Sequence, residues 1–115
     1  MTDFKYFDID LTINDKRDVK GIILQNGIKI VLISDINLKS SCCCVGVKAG
    51  YLNDDFEGTA HFLEHLLFMG SKKYPDQNIY HSYIQGCGGM SNAFTSYNMT
   101  CYYLELESIF LENHY

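Results

Sequence analysis

Thr59-Ala60-His61-Phe62-Leu63-Glu64-His65-Leu66-Leu67-Phe68-Met69, closed by Gly70, is the stretch on which the reading of this sequence turns. It predicts a helix from about Thr59 to Met69, with Gly70 placed to end it. Phe62, Leu63, Leu66, Leu67 and Met69 make most of its circumference apolar, so the helix is expected to be buried. One stripe breaks that pattern: His61, Glu64, His65 and Phe68, spaced i, i+3, i+4 and i+7. Residues at i and i+4 lie one above the other on a helix, so two imidazoles at that spacing can grip one metal ion. The order H-x-x-E-H inverts the order H-E-x-x-H of other metal-dependent hydrolases. It supplies two metal ligands, His61 and His65, and a general base, Glu64, within five residues. The plainer reading makes both histidines core residues bonded to carbonyls, with Glu64 in a salt bridge. Each of those buried groups then needs its own partner, which asks for several coincidences.

On the N-terminal side of this helix the pattern is extended. Val19-Lys20-Gly21-Ile22-Ile23-Leu24 and Ile28-Lys29-Ile30-Val31-Leu32-Ile33 flank Asn26-Gly27, which predicts a hairpin with a two-residue turn. A third strand is expected over Ser41–Gly50. It is apolar almost throughout, which implies burial on both faces. Residues 1–18 read as a polar, irregular lead-in. On the C-terminal side, Asn78 to Gln85 predicts a short second helix, stopped by Gly86, Gly88 and Gly89. Two strands follow, Ser91–Ser96 and Met99–Glu107, around a polar tip at Tyr97-Asn98. In the last strand Tyr102, Leu104 and Leu106 share one face, and Cys101, Tyr103, Glu105 and Glu107 the other. Residues 108–115 read as a loop and the start of a helix. Strands, then helices, then strands define an α+β fold: an antiparallel-rich sheet with helices packed on one face.

Composition narrows the function. The chain has 115 residues, a net charge of −5 and a 47% apolar fraction, so it holds one domain at most and can furnish a core. The acidic balance argues against nucleic acid or an anionic membrane as partner. No apolar run approaches the roughly 20 residues of a membrane span. Met1–Tyr6 lacks a basic segment followed by an apolar one, so no secretory signal is expected and the expected location is the cytoplasm. Five cysteines, with Cys42, Cys43 and Cys44 consecutive and Cys87 and Cys101 apart, do not resemble a disulfide framework. They are expected to act as small buried hydrophobes in a reducing compartment, with a soft-metal or redox role as the alternative.

Taken together, three blocks resemble the insulysin-like branch of the inverzincin metallopeptidases, the family of insulin-degrading enzyme and pitrilysin. The blocks are Asn26–Asp35, Gly58–Pro75 and Ser91–Ser96, in that order. The resemblance implies zinc as cofactor, His61 and His65 as ligands, and Glu64 as the base that activates water, although cobalt or manganese also suits such a site. It implies that Phe68 lines the pocket beside the scissile bond. It also implies that Asn92, Ala93 and Phe94 form an edge strand pairing with extended peptide substrates, a mode that depends little on peptide sequence. In such proteins the third ligand is a glutamate on a later helix. Asp76, Glu105, Glu107 and Glu112 do not match that position, so it is expected beyond Tyr115. Residues 19–115 are therefore expected to be the N-terminal part of a zinc metallopeptidase domain, truncated at its C-terminal end, with the remaining domains of a larger polypeptide as partners. A non-catalytic peptide-binding scaffold, or a piece inactive on its own, is the alternative.

Overall fold

The computed structural model describes residues 4–112. They divide after Leu38 into two compact units. In the first, β1 (Phe4–Phe7), β2 (Asp18–Leu24) and β3 (Lys29–Ser34) form an antiparallel sheet in that order. The second holds β4 (Ser40–Val47), a 3-10 turn (Tyr51–Asn53), α1 (Thr59–Leu67), α2 (Gln77–Gly86), β5 (Met90–Thr95), β6 (Thr100–Glu107) and α3 (Ile109–Glu112). Its sheet, also antiparallel, runs β4-β6-β5. The expected α+β class holds, with two three-stranded sheets in place of one.

The hairpin of the first unit forms as its β-branched runs predict, with Ile22 opposite Ile30. Its loop is three residues, Gln25–Gly27, and not the two-residue turn that Asn26-Gly27 suggested. The Gly27 amide donates to the Leu24 carbonyl (2.9 Å), the Leu24 amide donates to the Ile28 carbonyl (2.9 Å), and Gly27 takes φ +86°. A turn closed by a left-handed glycine is the usual three-residue solution. The lead-in is not irregular throughout: β1 pairs with β2, Phe4 opposite Leu24 and Phe7 opposite Gly21. Long-range pairing outweighs the weak local signal of Phe4-Lys5-Tyr6-Phe7. Between them Arg17 grips the Asp15 carboxylate and holds its pKa down at about 2.

In the second unit the core gathers where α2 meets β6: Ile84, Cys87 and Leu106, with Leu104 and Phe110 packed against them. Alternation on β6 places Leu106 inside while Tyr103, Glu105 and Glu107 face out, as expected, although Cys101 is buried on that outer side. Two expectations fail. Strand β4 is exposed at every position but Ser41, half-buried. Helix α1 exposes Phe62, Leu63, Leu66 and Leu67, with Met69 exposed just past its end, and the residue it buries is Glu64. The reason is extent: hydrophobic runs report a need for cover, and the described residues of this unit hold no element that lies over these faces. The cysteine expectation also splits, since Cys87 and Cys101 are buried while Cys42, Cys43 and Cys44 are exposed, all five as free thiols. Residues 113–115 of the expected terminal helix lie outside the described residues. Among the described residues no helix is long and apolar enough to cross a membrane.

Candidate metal centre and peptide cleft

Helix α1 starts on Gly58, which takes φ +88° and offers no side-chain cap. Its free amides are satisfied from further away: Ala60 N–H donates to Asp54 Oδ1 at 3.0 Å. The Thr59 hydroxyl, in turn, donates to the Phe56 carbonyl at 2.6 Å. The far end is closed by Gly70 at φ +112°, where a Cβ would lie 2.9 Å from the Tyr74 carbonyl oxygen. Both ends of the stripe are thus fixed by backbone that only glycine adopts readily.

On this helix His61 Nε2 and His65 Nε2 lie 3.0 Å apart, with ring centroids separated by 4.8 Å. Two imidazoles on one tetrahedral zinc, each nitrogen about 2.0–2.1 Å from the ion, span about 3.3 Å between nitrogens. The observed pair therefore fits two positions of such a centre. Among the described residues no third His, Cys, Asp or Glu completes a group of three. Glu105 and Glu107 sit on the exposed positions of β6. The side chain of Glu112 lies outside the described residues.

Glu64 is 9% exposed and is the one buried residue of α1. Its Oε2 accepts a hydrogen bond from the Thr95 hydroxyl at 2.5 Å, across from α1 to β5. Burying a carboxylate without such a donor is costly, so Thr95 is part of what lets the acid sit there. Burial, and then the charge of Glu64, push the Tyr102 phenol above its ordinary pKa. The edge of Tyr51 approaches His61 at 6.2 Å, and Tyr97 stands 6.4 Å from Tyr51. That wall is held by Tyr51 N–H to the Ser96 carbonyl (3.1 Å) and Leu52 N–H to the Tyr97 carbonyl (2.7 Å).

Glu64, His65, Phe68 and Asn92 line one cleft of about 370 Å³, together with His81 and Ser91. Phe68 stacks on His81, centroids 5.8 Å apart and planes 11° from parallel. Strand β5 is an edge of its sheet, bonded to β6 on one side. Ala93 N–H donates to its own neighbour's Asn92 Oδ1 at 2.8 Å, so this amide points off the sheet. Alternation turns Ser91, Ala93 and Thr95 towards the helices and leaves Asn92 and Phe94 exposed. Of the expected peptide-contacting residues, then, Phe68 and Asn92 meet in the cleft, Ala93 adjoins it on the free edge, and Phe94 does not line it. Thr95, Ser91, His81 and Tyr51 were missed. The alternation of β5 could have flagged Ser91 and Thr95, and helical spacing could have flagged His81; no local signal marks Tyr51.

An H-x-x-E-H sequence on a helix laid against an antiparallel sheet is the motif of the inverzincin class of peptidases. The sequence profile of the insulinase family, peptidase family M16, matches residues 29–113, and the chain belongs to that family. It is 44% identical over 100 residues to human insulin-degrading enzyme, matching 85% of this chain and 10% of that protein. A Schizosaccharomyces pombe relative described as a zinc protease is 42% identical over 94 residues, 80% of this chain and 10% of that protein. The crystal structure of pitrilysin superposes with a TM-score of 0.87 at 35% identity, covering 98% of this chain and 12% of pitrilysin. The chain thus spans about a tenth of the length of the curated relatives it matches.

Proposed function

We propose that this chain carries the ligand pair and the general base of a zinc-dependent endopeptidase acting on extended peptides or small unfolded proteins. The observation that carries the reading is the 3.0 Å approach of His61 Nε2 and His65 Nε2 beside the buried Glu64 carboxylate. His61 and His65 would hold zinc as neutral imidazoles, with a glutamate beyond Tyr115 as third ligand. Zinc supplies Lewis acidity there, which brings the pKa of a water down towards about 7.

The rest is done by this chain's own groups. Glu64 takes a proton from the attacking water and later delivers it to the leaving amine. Thr95 fixes the rotation of that carboxylate by donating to Oε2, so its position is set before substrate arrives. Phe68 presents an aromatic face to a substrate side chain in the cleft. The Asn92–Phe94 segment pairs with the peptide backbone as an added strand. Family membership and a relative described as a zinc protease support the reading.

The test uses the longest polypeptide that carries this sequence. Glu64→Gln is expected to abolish peptide turnover while zinc stays bound, and retained cleavage would remove Glu64 from the chemistry. His65→Ala is expected to lose zinc and turnover together. Undiminished zinc content in that variant would refute the ligand assignment.

A further inference from the structure

Cys44 on β4 and Cys101 on β6 stand 57 positions apart in sequence, yet their Sγ atoms lie 3.2 Å apart. The register explains the meeting. Cys44 pairs with Tyr103 and Gly46 with Cys101, so the two cysteines are diagonal neighbours on one face of the sheet. The residue directly opposite Cys101 is Gly46, so no side chain from that position competes for the space in which the sulfurs meet. Their surroundings differ. Cys44 is exposed, whereas Cys101 is buried, at 7% exposure. The hydrogen bond with Cys44, and then burial, push the Cys101 thiol pKa up, and the exposed Cys44 is the sulfur that a dissolved oxidant reaches first.

We propose that Cys44 and Cys101 form a dithiol that is oxidised reversibly to a cross-strand disulfide by hydrogen peroxide. The Cys44 thiolate attacks one peroxide oxygen. The O–O bond breaks, the departing hydroxide takes up a proton as water, and a sulfenic acid is left on Cys44. Cys101 Sγ then attacks Cys44 Sγ; the S–O bond breaks, the S–S bond forms, and the Cys101 proton leaves with the hydroxyl as a second water. Two thiols lose two electrons and the peroxide gains two. Reduction by a dithiol reagent returns both groups. Cys42 shares the face but sits opposite Glu105, and Cys43 sits opposite Leu104. Neither has a sulfur partner across the sheet among the described contacts.

The test treats the protein with a small excess of peroxide, then blocks free thiols and maps cross-linked peptides by mass spectrometry. A peptide spanning Cys44 is expected to be joined to one spanning Cys101, with loss of two hydrogens and full reversal by dithiothreitol. Because Cys42, Cys43 and Cys44 share a peptide, single variants assign the bond. C44S and C101S are expected to abolish the link, whereas C42S and C43S keep it. A link that survives C44S would overturn the proposal. So would a chain that stays reduced, carries only sulfinic or sulfonic acid, or joins neighbouring cysteines of β4.

Discussion

Helices α1 and α2 both pack against strand β5, yet the residue each buries differs in kind: Glu64 on α1 and Ile84 on α2. Helix α2 follows the rules of a structural helix. Asp76 caps it, accepting from Asn78 N–H at 2.8 Å, and it turns Ile84 into the core. Helix α1 has no side-chain cap of its own, leaves its leucines in solvent and buries a glutamate. Apolar burial rewards α2 for its position on the sheet. For α1 the contact with β5 includes the Glu64–Thr95 hydrogen bond, a polar anchor that fixes a buried carboxylate. The lesson is that the two helices divide the labour: one holds the sheet together, and the other holds a carboxylate still.

Substitution can break this contrast. Ile84→Ala is expected to cost about 2–5 kcal/mol in chemical denaturation, the range for truncating a buried aliphatic side chain. Leu66→Ala, at a residue 45% exposed, is expected to cost about 0.5 kcal/mol or less. Equal losses would mean that α1 rests on an apolar contact the structure does not show. Next in size, Thr95→Val removes the donor to the buried carboxylate, and a loss of about 1.5–3 kcal/mol is expected in the same measurement. A Thr95→Val protein as stable as the parent would show that Glu64 finds its partner elsewhere.

The smallest expected effect depends on pH. The Tyr102 phenol is raised above 10.0 by burial and by Glu64, so on rising pH the unfolded chain releases this proton before the folded one does. Its contribution to stability is therefore complete below about pH 10 and is lost as the pH climbs further. Tyr102→Phe is expected to flatten that loss, read as the difference between the two stability curves on either side of about pH 10. Tyr83 shifts in the same direction but is present in both proteins, so the difference isolates Tyr102. Parallel curves would contradict the assignment.

Much of this was legible in the chain before its coordinates. The i, i+3, i+4 spacing on α1 sufficed to bring His61, Glu64 and His65 onto one face, because helical geometry is local. The α+β class and the β5–β6 hairpin followed from alternation in the same way. What escaped was set by distance along the chain. No local pattern pairs Thr95 with Glu64, Tyr51 with His61, or Cys44 with Cys101; the packing of α1 on β5 decides the first, the contact of the 3-10 turn with α1 the second, and sheet register the third. Strand β1 was missed because four residues carry too little pattern to outweigh a polar neighbourhood. The burial of α1 and β4 was misjudged because their composition specifies a cover while the described residues of their own unit contain none.

The Asn92 side chain occupies the Ala93 amide on the free edge of β5. An incoming backbone carbonyl must displace that amide oxygen, exchanging one neutral acceptor for another of similar strength. Such an exchange is nearly isoenergetic, so this hydrogen bond adds little net affinity for any peptide. Under the proposed function, discrimination among peptides would then fall to the side chains that reach Phe68 and His81. The same occupied amide also makes the bare edge a poorer template for pairing with a second copy of the chain.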